Sequence, residues 1–140
     1  MRVFLDTNVV LDVALKRAPH LRASGKVLLQ AKAHGHELLF SASSATDIYY
    51  VLRRVVAPVM ARRFLTDLIA IAAVCPVDGQ IIAKAVASEF PDVEDAVQYY
   101  SAAADGAEVI VTRNKADFAH STLEVLTPRE FCDKYLPAGA

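Results

Sequence analysis

Cysteine is scarce in this chain of 140 residues, and its scarcity removes several kinds of protein from consideration. Cys75 and Cys132 sit among apolar residues, without close spacing to each other or to a histidine. Buried free thiols are expected there, with no disulfide framework. Of His20, His34, His36 and His120, only the His34-Gly35-His36 pair is closely spaced, and it reads as a loop, so zinc ligation is not expected. Long hydrophobic runs are missing too. The longest, Leu68 to Cys75, is far below the roughly 20 residues that a membrane-spanning helix needs. No basic segment followed by an apolar run opens the chain, because Asp6 interrupts it, and a soluble cytoplasmic protein is the expectation. Charge of one sign is lacking as well: the net charge of −1 sets up no global field that would draw in nucleic acid. Any phosphate contacts must therefore be local. Arg53-Arg54 and Arg62-Arg63 are the basic clusters that invite such a role, although solvated helix faces would look the same.

What is present is apolar and regularly punctuated. The hydrophobic share of 54% is enough to fill a core, and disorder is not expected. Val3-Phe4-Leu5 and Val109-Ile110-Val111 are apolar without alternation, as strands covered on both faces are. Glu37–Phe40 and Leu123–Leu126 suggest further strands, and residues 74–77 a strand or a connector. Between them fall helical patterns: residues 22–33, a helix capped by Ser43 or Ser44 and running to Val56, and another from Pro58 to Ala72. Asp78 caps a helix to Ser88, Pro91-Asp92 opens one to about Ala104, and Thr127-Pro128 starts the last. Helices and short strands alternate throughout, with no repeats, low-complexity runs or linkers. The expectation is one domain over residues 1–140, a three-layer α/β/α sandwich around a mostly parallel sheet.

In an open parallel sheet, ligands bind beyond the carboxyl ends of the strands. Asp6 directly follows one buried strand, and Asn114 and Asp117 follow another in VIVTRNKADF. Asp47 lies early in a helix, in SSATDIYYVL, and Glu94 and Asp95 lie in a first turn, in FPDVEDAVQYY. Helix N-termini favour negative charge, so Asp47 and Asp95 each have a structural role available, and Asp92-x-x-Asp95 resembles a capping box. The set says more than its members. Two carboxylates at about 4 Å repel by roughly 4 kcal/mol at an effective dielectric near 20. A cluster of three or four makes sense around a cation, and oxygen ligands select Mg²⁺ or Mn²⁺. With no Ser–His or Cys–His nucleophile discernible, the chemistry indicated is phosphodiester hydrolysis by a metal-activated water.

FLDTNVVLD, TDIYYVLRR, DVEDAVQYYSAA and VTRNKADF followed by VLTP, in that order, resemble the PIN-domain nucleases, in particular the VapC-like toxins of toxin–antitoxin pairs. The resemblance runs from residue 3 to about residue 131. It implies an endoribonuclease dependent on Mg²⁺ or Mn²⁺, acting on RNA, usually a homodimer and held by a protein antitoxin. It places the family's acids on Asp6, Asp47 and Asp95, with Thr7 and Asn8 orienting Asp6 or a water. It also offers Thr112 or Arg113 to the scissile phosphate. Many members carry aspartate where this chain has Asn114, so a weaker or singly occupied metal site is expected, with Asp117 as a fourth acid. Glu94 and Asp95 are adjacent on a helix and can exchange roles. Tyr49, Tyr50 and the apolar face of the helix from Pro58 suit a dimer or antitoxin surface.

Three other readings compete. A haloacid dehalogenase-type phosphatase needs a second carboxylate two residues after the first, where this chain has Asn8. A receiver domain needs extra acids just before its phosphorylated aspartate, and those do not fit. The remaining alternative is an RNA- or protein-binding module that keeps the fold and has lost catalysis through Asn114.

Overall fold

The computed structural model describes residues 1–138. Five strands, β1 (Arg2–Leu5), β2 (Glu37–Ser41), β3 (Ala72–Cys75), β4 (Val109–Val111) and β5 (Glu124–Leu126), form one sheet in the order β3-β2-β1-β4-β5. All four pairings are parallel. Seven helices connect and cover them among the described residues: α1 (Thr7–Ala14), α2 (Leu21–Gln30), α3 (Ala42–Leu52), α4 (Pro58–Ile71), α5 (Gly79–Ala87), α6 (Val93–Ala104) and α7 (Pro128–Tyr135).

The central strands are buried on both faces, which explains their unbroken apolar sequence. Val3 and Leu5 face one core while Phe4 faces the other. In the same way Leu38 and Phe40 oppose Leu39, and Val109 and Val111 oppose Ile110. This is the period-two projection of a strand. Helices α1, α2, α3, α4 and α7 cover the first face, and α5 and α6 cover the second. The expected α/β/α sandwich is the one observed.

Local chemistry sets the helix starts. The Asp78 carboxylate accepts from the Ile81 N–H at 2.9 Å to open α5. Thr127 and Glu130 form a reciprocal capping box on α7, and Pro58 occupies the first turn of α4, where its missing N–H costs nothing. Three expectations shift. Ser41, rather than Ser43 or Ser44, caps α3, accepting from the Ser43 N–H at 3.2 Å, and α3 stops at Leu52 instead of Val56, leaving Val55 exposed. Strand β3 begins at Ala72, directly where α4 ends. Helix α1 has no counterpart in the sequence reading, because Val9, Val10 and Leu11 are consecutive and buried rather than spaced as an amphipathic stripe.

Parallel strands all point their carboxyl ends the same way. Leu5, Ser41 and Val111 therefore finish at one rim, and α1, α3 and the loop after β4 all leave from it. Both cysteines are buried free thiols, and among the described residues no helix is long and apolar enough to cross a membrane.

Candidate active site

Asp6 is the residue between β1 and α1. Its backbone is extended (φ −63°, ψ 147°), its N–H still donates to the Val111 carbonyl at 3.0 Å, and its own carbonyl accepts from Val9 at 3.0 Å. The residue is thus held by the sheet on one side and by the helix on the other. Its side chain is only 3% exposed, and the Thr112 hydroxyl donates to Oδ2 at 2.7 Å. Burial pushes this carboxyl above the ordinary range, while Thr112, Gln98 and the backbone N–H groups of Thr7 and Asn8 pull the other way.

Helix α3 brings Asp47 to the same rim and α6 brings Glu94 and Asp95. Together with Asp92, Thr7, Asn8 and Gln98 these acids line one open cavity of about 420 Å³ beside Asp6. Glu94 lies against Asp47, and that contact, with partial burial and the charges of Asp47, Asp92 and Asp95, pushes its carboxyl up to about 7. Asp95 is also pushed to about 7, first by burial and then by the charges of Asp6, Asp92 and Asp117. The two acids differ in their neighbours: Asp47 acts most strongly on Glu94, whereas burial and then the charge of Asp6 act on Asp95. Asp92 caps α6, accepting from the Asp95 N–H at 3.1 Å, so the first half of the suspected capping box is present.

The remaining expected residues divide. Thr7 and Thr112 are buried and tie the site together. The Thr7 hydroxyl is 2.6 Å from that of Ser44 and donates to Gln98 Oε1 at 3.3 Å, and its backbone N–H reaches the same oxygen at 3.2 Å. Asn114 and Asp117 lie outside the cavity lining, on the exposed 3₁₀ turn after β4. Asn114 supports the site indirectly, through a backbone N–H donated to Thr112 Oγ1 at 3.0 Å, and Asp117 acts on it as a nearby charge. Arg113 is turned away. Its Nε lies 2.7 Å from Oδ2 of the fully buried Asp12, and Arg17 approaches the other oxygen at 3.6 Å. Arg113 Nε and the Asp12 oxygens lack a well-aligned hydrogen bond, so close charge neutralisation holds this pair. Of the two residues offered to the scissile phosphate, Thr112 is buried against Asp6 and Arg113 is paired through Nε with Asp12.

Sequence reasoning missed Ser44 and Gln98. The signal was available in helical spacing: Ser44 precedes Asp47 by one turn, and Gln98 follows Glu94 and Asp95 by one turn, on the faces those acids share. Arg54, expected as a basic contact, lines the cavity with Tyr50. Arg53 stacks over the Tyr49 ring, 5.7 Å from its centroid, while Arg62 and Arg63 are exposed on α4.

The family model for the PIN domain matches residues 2–116. The chain belongs to the PIN-domain family. Asp6, Asp47 and Asp95 of this PIN domain lie inside the matched span, and Asp117 falls just beyond it. The chain is 29% identical over 139 residues to Ribonuclease VapC1 of Aquifex aeolicus, an alignment covering 96% of this chain and 95% of that protein. Its fold is shared with VapBC-1 from nontypeable Haemophilus influenzae, with a TM-score of 0.68, 16% identity, and coverage of 92% of this chain and 99% of that one. It is shared also with VapC20 of Mycobacterium tuberculosis, a sarcin-ricin loop cleaving toxin, with a TM-score of 0.63, 11% identity, and coverage of 77% and 86%.

The chemistry of the donor set fits a hard divalent cation. Every donor is oxygen, the carboxylates repel one another, and two are pushed up to about 7 by the Asp47 contact, by burial and by their acidic neighbours. Among the described residues no three His, Cys, Asp or Glu side chains are gathered closely enough to hold a metal ion between them. Magnesium is held more often through one or two carboxylates with several waters than by an all-protein cage, so an open rim suits it.

The two raised carboxyls make the stability of the metal-free protein depend on pH. Glu94 and Asp95 in the folded protein keep protons that their unfolded counterparts, with ordinary values near 4, have released. The metal-free protein is therefore most stable below about pH 4 as far as these groups are concerned, and loses that contribution as pH rises through about 7. Both acids are partly exposed, so solvent screening limits the loss to roughly 1–2 kcal/mol. Denaturant titrations of the metal-free protein at pH 5 and pH 8 check this: Asp95→Asn is expected to flatten the difference, and an unaltered difference would remove Asp95 from the acid cluster.

Proposed function

We propose that this PIN domain is an endoribonuclease dependent on Mg²⁺ or Mn²⁺, the toxin of a toxin–antitoxin pair. One observation carries the reading: acids from three separate elements, Asp6 after β1, Asp47 on α3, and Glu94 and Asp95 on α6, line one cavity at the carboxyl rim of the sheet. Folding gains nothing from such a gathering of like charge without a cation. Asp6, Asp47 and Asp95 would hold the ion, with Glu94 beside Asp47. A divalent ion bound there supplies positive charge to the phosphate oxygens and lowers the pKa of water.

The chain's own residues do the rest. Thr112 orients Asp6 by donating to Oδ2, leaving Oδ1 for a ligand. Gln98 and Ser44 clamp Thr7, so the first turn of α1 keeps its place. Arg54 and Tyr50 border the acids with a positive charge and a ring that is 59% exposed, suited to a phosphate and a base. Asn114 contributes a backbone N–H rather than a ligand, so its lack of charge does not empty the cavity of acids. That weakens the binding-module alternative. Similarity to a protein named Ribonuclease VapC1 supports the choice of RNA over DNA.

The same reading includes a protein antitoxin and a homodimer, in the cytoplasm. Val55 and Val56 before α4, Val59 and Met60 in its first turn, and the expected Tyr50 are exposed and provide apolar area for one of these contacts. The deciding experiment is cleavage of a structured RNA by the purified chain. Fragments are expected in Mn²⁺ and not in excess EDTA; RNA that stays intact in Mn²⁺ while remaining bound favours the binding module instead.

A further inference from the structure

On the other side of Thr112 lies a second concave surface with the opposite charge. The first turns of α2 and α7 face each other across it. Pro19, His20 and Ser24 come from one side, Thr127 and Arg129 from the other, and Arg113 forms the floor of a cavity of about 320 Å³. A neighbouring cavity of about 500 Å³ shares Pro19, Ala23 and Arg129 and adds Arg22 and Lys26, with Asp133 as its acid. The two make one groove.

Three features give the groove a ligand preference. First, Arg22, Lys26 and Arg129 form no ion pair among the described residues, in a chain whose net charge is −1. Second, the positive dipole ends of α2 and α7 open onto it. Third, the Ser24 hydroxyl is fully buried, lines the cavity and has no partner among the described residues. A buried donor is rarely left so without a ligand or water. Arg113 fits the same picture, since its Nη1 reaches the His20 ring at 3.3 Å while Asp12 holds its Nε.

The groove is also in the right place. Thr112 and Arg113 are consecutive, yet Thr112 points to Asp6 and Arg113 points to the groove. A strand of nucleic acid approaching the acids meets repelling carboxylates, and the chain offers no long-range attraction to offset them. Affinity for the backbone must come from cations beside the acids.

We propose that the groove between the first turns of α2 and α7 binds the phosphodiester backbone of the RNA strand that flanks the cleavage point. The proposal rests on the nuclease reading for its choice of RNA. In this arrangement Arg129, Arg22 and Lys26 contact successive phosphates, Ser24 and the positive dipole ends of α2 and α7 favour the one nearest Arg113, and the strand passes over Thr112 to the acids.

The test uses the full chain in EDTA, so that nothing is cleaved, and fluorescence anisotropy of fluorescein-labelled oligouridylate. Arg129→Glu with Lys26→Glu is compared with Lys32→Glu and Lys84→Glu, exposed lysines before β2 and on α5, a pair that changes the net charge equally. The groove pair is expected to weaken binding about tenfold or more and to reduce the slope of log K against log salt by about 2. The control pair should stay within about a factor of 2, as a contact remote from the strand would. Equal losses in the two pairs would mean a bulk charge effect, and no loss in either would mean that the groove does not hold RNA; both overturn the proposal. So does displacement of the labelled RNA by inorganic phosphate as readily as by unlabelled oligouridylate, which marks a free-phosphate site. Failure to cleave in Mn²⁺ with the groove dependence intact would remove the nuclease reading and leave the groove standing.

Discussion

Asp6→Asn is expected to lower RNA cleavage in Mn²⁺ by on the order of a thousandfold, the equivalent of about 4 kcal/mol of transition-state stabilisation. The same variant is expected to fold and melt as the parent does, or slightly higher. The reasons lie in what the substitution keeps. Asparagine is nearly isosteric, and its side-chain oxygen can still accept from the Thr112 hydroxyl that now donates to Oδ2. What disappears is a charge that burial already disfavours and that repels Asp95. Folding therefore loses little, while on the proposed reading the ion would lose the ligand most rigidly held by sheet and helix. Cleavage rates and thermal melts on the same preparation separate the two effects. Undiminished cleavage would show that Asp6 is not part of the catalytic centre, whereas a large drop in melting temperature would show that its charge is structural.

Arg113→Met carries the second large effect, this time on stability. Asp12 is fully buried, and Arg113 is its nearer cation, at 2.7 Å against 3.6 Å for Arg17. Removing one partner of a buried pair leaves a charge without compensation and typically costs about 3–5 kcal/mol. Arg17 remains within reach, so a loss of roughly 2–4 kcal/mol is expected, on the order of 10 °C in melting temperature. Replacing both members, as Asp12→Leu with Arg113→Met, is expected to regain most of it, because an apolar pair of similar volume avoids desolvating charge at all. Thermal melts of the two variants decide the matter. A single variant that melts with the parent would show that Arg17 alone satisfies Asp12; a double variant no better than the single would show that the pair holds the α1–β4 junction by shape rather than by charge.

Asn114 looks in the sequence like the departure that endangers catalysis. In the structure it stands outside the acid cavity and supports Thr112 through its backbone, which any residue can supply. Thr112 and Arg113 are both offered to the scissile phosphate by the resemblance; in the structure Thr112 donates to Asp6, while Arg113 pairs with Asp12 and lines the cavity between α2 and α7. These outcomes share a cause. Residues 112–114 leave the end of β4 in alternating directions, so Thr112 and Arg113 serve different sites although they adjoin in sequence.

The acids followed a simpler rule. A buried strand followed by a carboxylate has one place to put it, and parallel strands put all such places on one rim. Asp47 and Asp95 were legible because each stands at helical spacing from a start signal. Ser44 and Gln98 were overlooked because their importance lies in contacts with Thr7, separated from it by 37 and 91 residues.

By itself, then, the sequence determined the layered α/β architecture, the doubly buried strands, and the carboxyl-end position of Asp6. These depend on periodicities of two and 3.6 that each segment carries within itself. Only the tertiary structure decided that Glu94 lies against Asp47 while Asp95 feels the charge of Asp6, that Asp12 captures Arg113, and that the starts of α2 and α7 meet in a basic groove. Those outcomes depend on how each helix is rotated about its axis when it docks on the sheet, and that rotation is set by packing against residues far away in the chain.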